Sequence, residues 1–262
     1  MPKVKFTGRI FPAALSVSIT NFPAIQWQDA QLIELDLQPI CRAQVQNNAV
    51  TINVDLNKFD PGVHLTPIAM RAHDTVRAAV DLMCFATGNG LIFLLETWTI
   101  PDGFARPLAP QQPELAALST AVSDPSDFDS VLRIVLTDPP LFMALRDLIE
   151  AITQWHKAPT SAGRAVEAMR HSMTPNEERR QQWEKLCTNL QIERSYIDPI
   201  TNTSTGPRHG DPEHIPGTIT SDVARRAWVI MNRFLEFKKR GGSQPLPVEE
   251  FPILTGDAQR IG

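Results

Sequence analysis

The sequence predicts an α+β protein in which an N-terminal antiparallel sheet with one covering helix precedes a C-terminal, all-α helical bundle. Apolar and polar residues alternate in the first part of the chain, as in strands with one buried face. From residue 127 onward the apolar residues recur at helical spacing instead. Prolines between residues 101 and 125 separate the two patterns. We therefore predict an α+β module over 1–125, a helical bundle over 126–242 and a loosely attached, Pro-rich tail over 243–262.

The strand pattern is clearest in a hairpin formed by residues 41–45 and 49–56. In the second strand, Val50, Ile52 and Val54 point to one face, while the residues between them are polar. The intervening Gln46-Asn47-Asn48 predicts a tight turn, because asparagine tolerates left-handed backbone conformations. Residues 3–10, 14–20 and 32–37 alternate less regularly and are also predicted to be strands.

One long helix and a further strand complete the N-terminal module. An apolar stripe that includes Ile68, Ala72, Val76 and Val80 predicts a helix over residues 67–87, which the Gly88-Asn89-Gly90 segment ends. The apolar residues 91–100 then predict a strand.

The C-terminal half is predicted to form helices joined by short loops. Capping residues and prolines mark several helix starts, and Gly241-Gly242 marks the end of the last helix. The predicted helices cover residues 128–136, 141–155, 162–173 and 176–189, and a closing helix that follows the segment 218–222 and runs to 240.

Composition excludes several classes of protein. No apolar run exceeds five residues, the length of Leu91 to Leu95, which is far shorter than a membrane span, so we expect no membrane association. The three cysteines are widely separated and suit a reducing, cytoplasmic compartment. The net charge is −4, yet residues 160–240 contain 13 Lys/Arg against 10 Asp/Glu, which allows a local site for an anion. Motifs for nucleotide-driven or serine-hydrolase chemistry are absent from the sequence.

The first candidate site lies on the predicted helix 162–173, in the segment RAVEAMRH. Residues seven apart on a helix are nearly aligned, so Arg164 and His171 share a face, with Glu167 and Arg170 beside them. An arginine can bind a phosphate while a neighbouring imidazole moves a proton. In the alternative reading, Glu167 simply forms ion pairs with the two arginines and the helix dipole favours His171.

The second candidate site lies in the segment GPRHGDPEHIPGTITSD, which starts at residue 206. Its glycines and prolines predict a constrained loop that ends at the N-terminus of the last helix, where backbone N–H groups favour anions. Three interpretations of this segment remain open. Arg208 and His209 join the first candidate site around a phosphate; His209, Asp211 and His214 bind a divalent metal; or the segment is a structural polar loop.

The chain also resembles known families. Segments such as RAVEAMRH, TSTGPRHG and RRAWVIMNRFLEFKKRGG are similar to a family of uncharacterised bacterial proteins. The C-terminal bundle more distantly resembles HEPN domains, helical modules of toxin and defence systems whose ribonucleases use an R-x(4–6)-H motif across a dimer. Two segments fit that motif, Arg164 to His171 and Arg208 to His214. The resemblance implies RNA as ligand, catalysis without a metal or other cofactor, and a homodimer.

Two hypotheses for function follow. In the first, the bundle carries an Arg/His site for RNA or another phosphate-bearing ligand, and in its ribonuclease version His171 or His209 acts as base while Arg164 or Arg208 stabilises charge on the phosphate. Glu167, Arg170 and His214 then contribute to ligand binding. In the second, the protein is a non-catalytic scaffold whose Arg/His networks are structural. Under the first hypothesis, the N-terminal module is expected to sense or recruit a protein partner.

Overall fold

The computed structural model describes residues 2–20, 22–101, 103–108, 113–154, 157–209 and 215–256. The chain forms two compact units, residues 1–109 and residues 110–262. The first unit contains the sheet and the second contains the bundle of helices, so the predicted α+β class and its order along the chain are confirmed.

The sheet of the first unit is antiparallel. Its strands are β1 (Lys3–Phe11), β2 (Ile25–Gln26), β3 (Ile40–Gln46), β4 (Ala49–Asp55), β5 (Ile92–Thr99) and β6 (Arg106–Pro107). Within the described residues they lie in the order β2-β3-β4-β1-β5-β6. The central strand β1 pairs with β4 on one side and with β5 on the other. Alternation of apolar residues drives this arrangement, since Val4, Phe6 and Ile10 are buried while Lys3 and Lys5 are exposed.

The helix α2 (Pro61–Thr87) covers one face of this sheet. Its apolar stripe is fully buried in the same core as the inward-facing residues of the strands, as the sequence pattern predicts. The helix begins earlier than residue 67, because the Asp60 side chain accepts a hydrogen bond from the Gly62 N–H and Pro61 occupies the first turn. Gly88 ends it with a left-handed φ of 69°.

The predicted hairpin is confirmed, whereas two other strand predictions are wrong. Asn47 and Asn48 adopt φ values of 48° and 67° in the turn between β3 and β4. Residues 14–20 contribute only an isolated bridge from Ile19 to Val45. Residues 32–34 belong to the helix α1 (Ala30–Glu34), which the Asp29 carboxylate caps by accepting from the Leu32 N–H at 3.1 Å, and residues 35–37 form a turn and no strand.

The second unit is built from helices: α3 (Pro113–Ala117), a 3₁₀ turn (Thr120–Val122), α4 (Pro125–Thr137), α5 (Pro139–Thr153), α6 (Ala158–Met173), α7 (Arg179–Leu190), α8 (Arg194–Arg208) and α9 (Gly217–Lys239). Residues that precede Pro125 already belong to this second unit. Ala121 is buried in the core of the bundle, and the Trp228 indole N–H donates to the Ser119 hydroxyl at 2.8 Å. The second unit therefore starts before the boundary that the prolines suggest.

The helix α8 is the main departure from the predicted secondary structure. The sequence suggests a loop at Gly206 and Pro207, yet the helix continues through both to Arg208. Tyr196, Ile197 and Ile200 are buried in the core of the bundle, so tertiary packing outweighs the low helix propensity of the prolines. The last helix also begins before the segment 218–222 that was expected to precede it.

The C-terminal segment is not loosely attached over residues 243–256. Leu246 is buried, and its N–H donates to the Asn189 carbonyl at 2.9 Å. Leu254 pairs with Ile192 in a short parallel bridge. The buried guanidinium of Arg233 donates to the carbonyls of Gln191 and Pro252 at 2.8 and 2.7 Å. Apolar burial and backbone hydrogen bonds therefore attach this segment to the bundle.

Candidate functional site

The helix α6 carries four of the predicted site residues: Arg164, Glu167, Arg170 and His171. Its opposite side is buried in the core through small residues such as Ala162 and Ala165. Arg164 and His171 are exposed, and Glu167 and Arg170 are partly exposed. Arg164 and His171 therefore lie on the same side of α6, as the sequence predicts, because an α-helix nearly repeats every seven residues.

Arg164 forms an ion pair with a residue that sequence analysis does not single out. Its Nη2 lies 3.2 Å from Oδ1 of Asp147, a buried carboxylate on α5. Burial raises the pKa of Asp147, and the charge of Arg164 opposes that increase. Half of the Arg164 side chain remains in solvent, so it can contact a ligand while it compensates the charge of Asp147.

Arg208 approaches α6 from the C-terminal end of α8. Its Nη1 lies 3.2 Å from Oε1 of Glu167. This approach requires a glycine at position 163, because a Cβ there would overlap Nη2 of Arg208 and would lie 2.6 Å from Cβ of Ser204. Nε and Nη2 of Arg208 are buried and have no hydrogen-bond partner among the described residues. Arg208 is thus held by one ion pair and by close packing.

A second arginine, Arg179, contacts the same carboxylate oxygen. Its Nη2 lies 3.1 Å from Oε1 of Glu167. Arg170, one turn along α6 from Glu167, donates from Nη1 to the side-chain oxygen of Gln182 at 2.6 Å. Burial lowers the pKa of Arg170, and the neighbouring charge of Arg179 lowers it further, against the opposing effect of Glu167. We call Arg170, Arg179 and Arg208, gathered around Glu167, the arginine cluster.

The aromatic side chain beside this cluster, Trp183, already contacts two guanidinium groups. The guanidinium of Arg170 lies 5.3 Å from the ring centroid of Trp183, and that of Arg194 lies 4.2 Å from it. These cation–π contacts fix the position of Trp183. They favour its structural role over stacking on a nucleotide base.

The histidines are placed differently from the arginines. His171 and His209 are exposed, and neither imidazole hydrogen-bonds to another of the residues that the structure describes. His209 directly follows α8, so it is close in sequence to the cluster through Arg208. His214, together with Asp211 of the alternative metal site, lies outside the described residues. Within the described ranges, no three His, Cys, Asp or Glu side chains are grouped so as to hold a metal ion.

Of the predicted site residues, the structure brings Arg208 to Glu167 but directs Arg164 toward α5. Asp147, Gly163, Arg179 and Gln182 complete the arrangement and were not identified from the sequence. Gly163 offered a usable signal, because a glycine inside a helix usually has a packing reason. The other three had none, since their contacts depend on how α5, α6 and α7 pack.

Comparison with known proteins gives a match to a family model over part of the chain and no activity. Residues 128–239, from α4 to the end of α9, match the model of the C-terminal domain of a family described as a domain of unknown function, DUF8168. No curated protein matches the chain, and no solved structure does so. The similarity to an uncharacterised family agrees with the sequence analysis, whereas the resemblance to HEPN domains gains no support. None of the described helices is long and apolar enough to cross a bilayer.

Proposed function

We propose that the second unit binds a phosphate-bearing ligand, with RNA as the class to test first, at the arginine cluster on α6, α7 and α8. The observation that carries this proposal is the imbalance of charge around Glu167. Oε1 of this one carboxylate serves both Arg179 and Arg208, while Arg170 beside it contacts an amide instead of a carboxylate. Two guanidiniums therefore share one carboxylate oxygen, and the third, that of Arg170, forms no ion pair with a carboxylate among the described residues.

An anion would relieve this imbalance. Neighbouring guanidiniums repel one another: the pKa of Arg170 is lowered mainly by burial and then by the charge of Arg179, against the opposing charge of Glu167. Arginine binds phosphate through two parallel N–H donors, and most of the affinity for a nucleic acid comes from such phosphate contacts. Arg179 is 70% exposed, so it is available to a ligand without any rearrangement of the core.

The cleavage version of the proposal assigns the proton transfer to His171 or His209. Both imidazoles are exposed and free of hydrogen bonds within the described part of the chain, which leaves their nitrogens available to a bound substrate. Arg164, half exposed on the same side of α6 as His171, supplies a further contact for the phosphate.

The competing function is a non-catalytic scaffold. Two observations favour it: Arg164 is paired with the buried Asp147, and Arg208 is packed onto Gly163 with two of its nitrogens enclosed. In that case the ion pairs stabilise the packing of α5, α6 and α8 and no ligand is involved.

Binding of a labelled single-stranded RNA, followed by fluorescence anisotropy at about 50 mM salt, tests the proposal. Arg179→Ala should weaken binding about tenfold and reduce the salt dependence by about one ion. Arg180→Ala is the matched control. Arg180 is the next residue on α7, is 89% exposed and pairs with Glu184 instead of Glu167, so its loss should change affinity less than twofold, by about 0.4 kcal/mol or less.

A second variant separates the two functions. Glu167→Gln removes the carboxylate that competes with the ligand, so it should strengthen RNA binding; a scaffold would only lose stability. Competition by inorganic phosphate or pyrophosphate distinguishes a small ligand from RNA. Cleavage of the RNA in the presence of EDTA, lost in His171→Ala or His209→Ala, supports the ribonuclease version. Absence of binding by the wild-type protein at low salt, or equal effects of Arg179→Ala and Arg180→Ala, would overturn the proposal.

A further inference from the structure

A separate feature of the second unit is an apolar stripe on the outer side of α4. Val131 and Val135 of this helix are buried in the core of the bundle. Phe128, Leu132 and Leu136 lie beside them at four-residue intervals and are 59%, 41% and 65% exposed. Residues spaced by four form one continuous ridge on a helix, which is the element that packs into a groove of a second helix. The helix α4 thus has more apolar surface than it buries in the core of the bundle.

Two charged residues lie along one side of this ridge. Asp129 and Arg133 are exposed, lie one turn apart and have opposite signs. Neither forms an ion pair or hydrogen bond through its side chain within the described residues. Measured along the helix axis, the midpoint of the pair falls at the level of residue 131, one residue from Leu132 at the centre of the ridge. A helix with this pattern is complementary to itself when a second copy runs antiparallel to it.

We infer that the outer side of α4 is an interface between two copies of this chain, related by a two-fold axis that passes close to Leu132. In such an isologous contact, residue i meets residue j and j meets i. Asp129 of each copy then faces Arg133 of the other, and the two ridges bury each other. A different protein would need its own base and acid, one turn apart along one side of an apolar groove, whereas the two-fold axis supplies both from the Asp129 and Arg133 of the second copy.

This inference does not rest on the proposed phosphate site, which lies on α6, α7 and α8. Burial of three large apolar side chains from each copy provides the driving force, and the two ion pairs fix the antiparallel orientation. A ridge of four-residue spacing predicts that the two helices cross at about −50°.

Sedimentation equilibrium of the full chain over about 1–100 µM provides the test. The wild-type protein should form a dimer in this range. Leu132→Glu places two carboxylates at the axis and should leave the protein monomeric. Ile219→Glu is the matched control, because Ile219 on α9 is similarly exposed at 45% and lies outside the interface; it should leave dimerisation unchanged.

Charge reversal tests the two-fold arrangement itself. Asp129→Arg turns two attractive contacts into two repulsive ones and should weaken the dimer about tenfold. Combining it with Arg133→Asp restores opposite signs across the axis, so the double variant should dimerise like the wild type. A wild-type protein that stays monomeric over the whole range would overturn the inference. So would a dimer that Leu132→Glu leaves intact, or a double variant that is no better than the single one.

Discussion

Substitution of Gly163 by alanine provides the most direct test of how α6 and α8 pack. A Cβ at this position would lie 2.6 Å from Cβ of Ser204 and would overlap Nη2 of Arg208. The guanidinium can swing away on its flexible side chain. Cβ of Ser204 cannot, because it is attached directly to the backbone of α8, so the two helices must separate by about 0.8 Å to reach an ordinary contact.

The expected size of the effect follows from two opposing contributions. Alanine is a better helix former than glycine, which stabilises the variant by about 1 kcal/mol. Forcing an extra group into a packed contact costs about 1–3 kcal/mol, and loss of the partly exposed pair between Arg208 and Glu167 adds at most about 1 kcal/mol. We therefore expect Gly163→Ala to lower the free energy of unfolding by about 1–2 kcal/mol. For a unit of this size the melting temperature falls by about 2–4 °C per kcal/mol.

Urea denaturation followed by far-ultraviolet circular dichroism measures this difference. Gly217→Ala is the control, because Gly217 is also helical and an added Cβ there meets no atom of the described residues within 4 Å. It should be neutral or stabilising by up to about 1 kcal/mol. Ser204→Gly removes the clashing atom and should recover part of the loss when combined with Gly163→Ala. If Gly163→Ala is as stable as Gly217→Ala, the close contact between α6 and α8 does not exist.

Two further predictions concern stability. Burial raises the pKa of Asp138, but hydrogen bonds from Ser172, Lys238 and a backbone N–H outweigh burial, so the net pKa is lowered. The ionised Asp138 carboxylate therefore stabilises the fold above the ordinary Asp pKa of 3.8. This stabilisation is lost as the pH falls through the lower pKa of the folded state. Asp138→Asn should therefore cost about 1–2 kcal/mol at pH 7 in urea titrations and nothing at acidic pH, and an equal loss at both pH values would contradict this. Arg233→Met should release residues 243–256, seen as rapid cleavage there by a non-specific protease, and an uncut segment would show that its apolar contacts suffice.

The sequence predicts the elements whose local pattern and tertiary role agree. The hairpin at Asn47 and Asn48 is one such element, and the apolar stripe of α2 is another, because burial and local preference favour the same structure. The helix α8 shows the opposite case. Its prolines and Gly206 oppose a helix locally, and tertiary contacts, among them those with α6 and α9, stabilise one.

The candidate site follows the same division. The common side of α6 that carries Arg164 and His171 depends only on helical periodicity, so the sequence is sufficient to predict it. The pairing of Arg208 with Glu167 depends on α8 being helical up to residue 208, which the sequence does not indicate. Arg179 reaches Glu167 from the first turn of α7, a contact that no spacing along the chain predicts.

The segment after α9 has a practical consequence for anyone who produces the helical unit on its own. The match to the family model stops at residue 239, yet Leu246 fills a place in the core and Arg233 donates to the carbonyl of Pro252. A fragment cut at residue 239 would expose apolar surface and leave a buried guanidinium with fewer acceptors. Recombinant fragments should therefore extend to at least residue 256, and truncated ones are expected to aggregate.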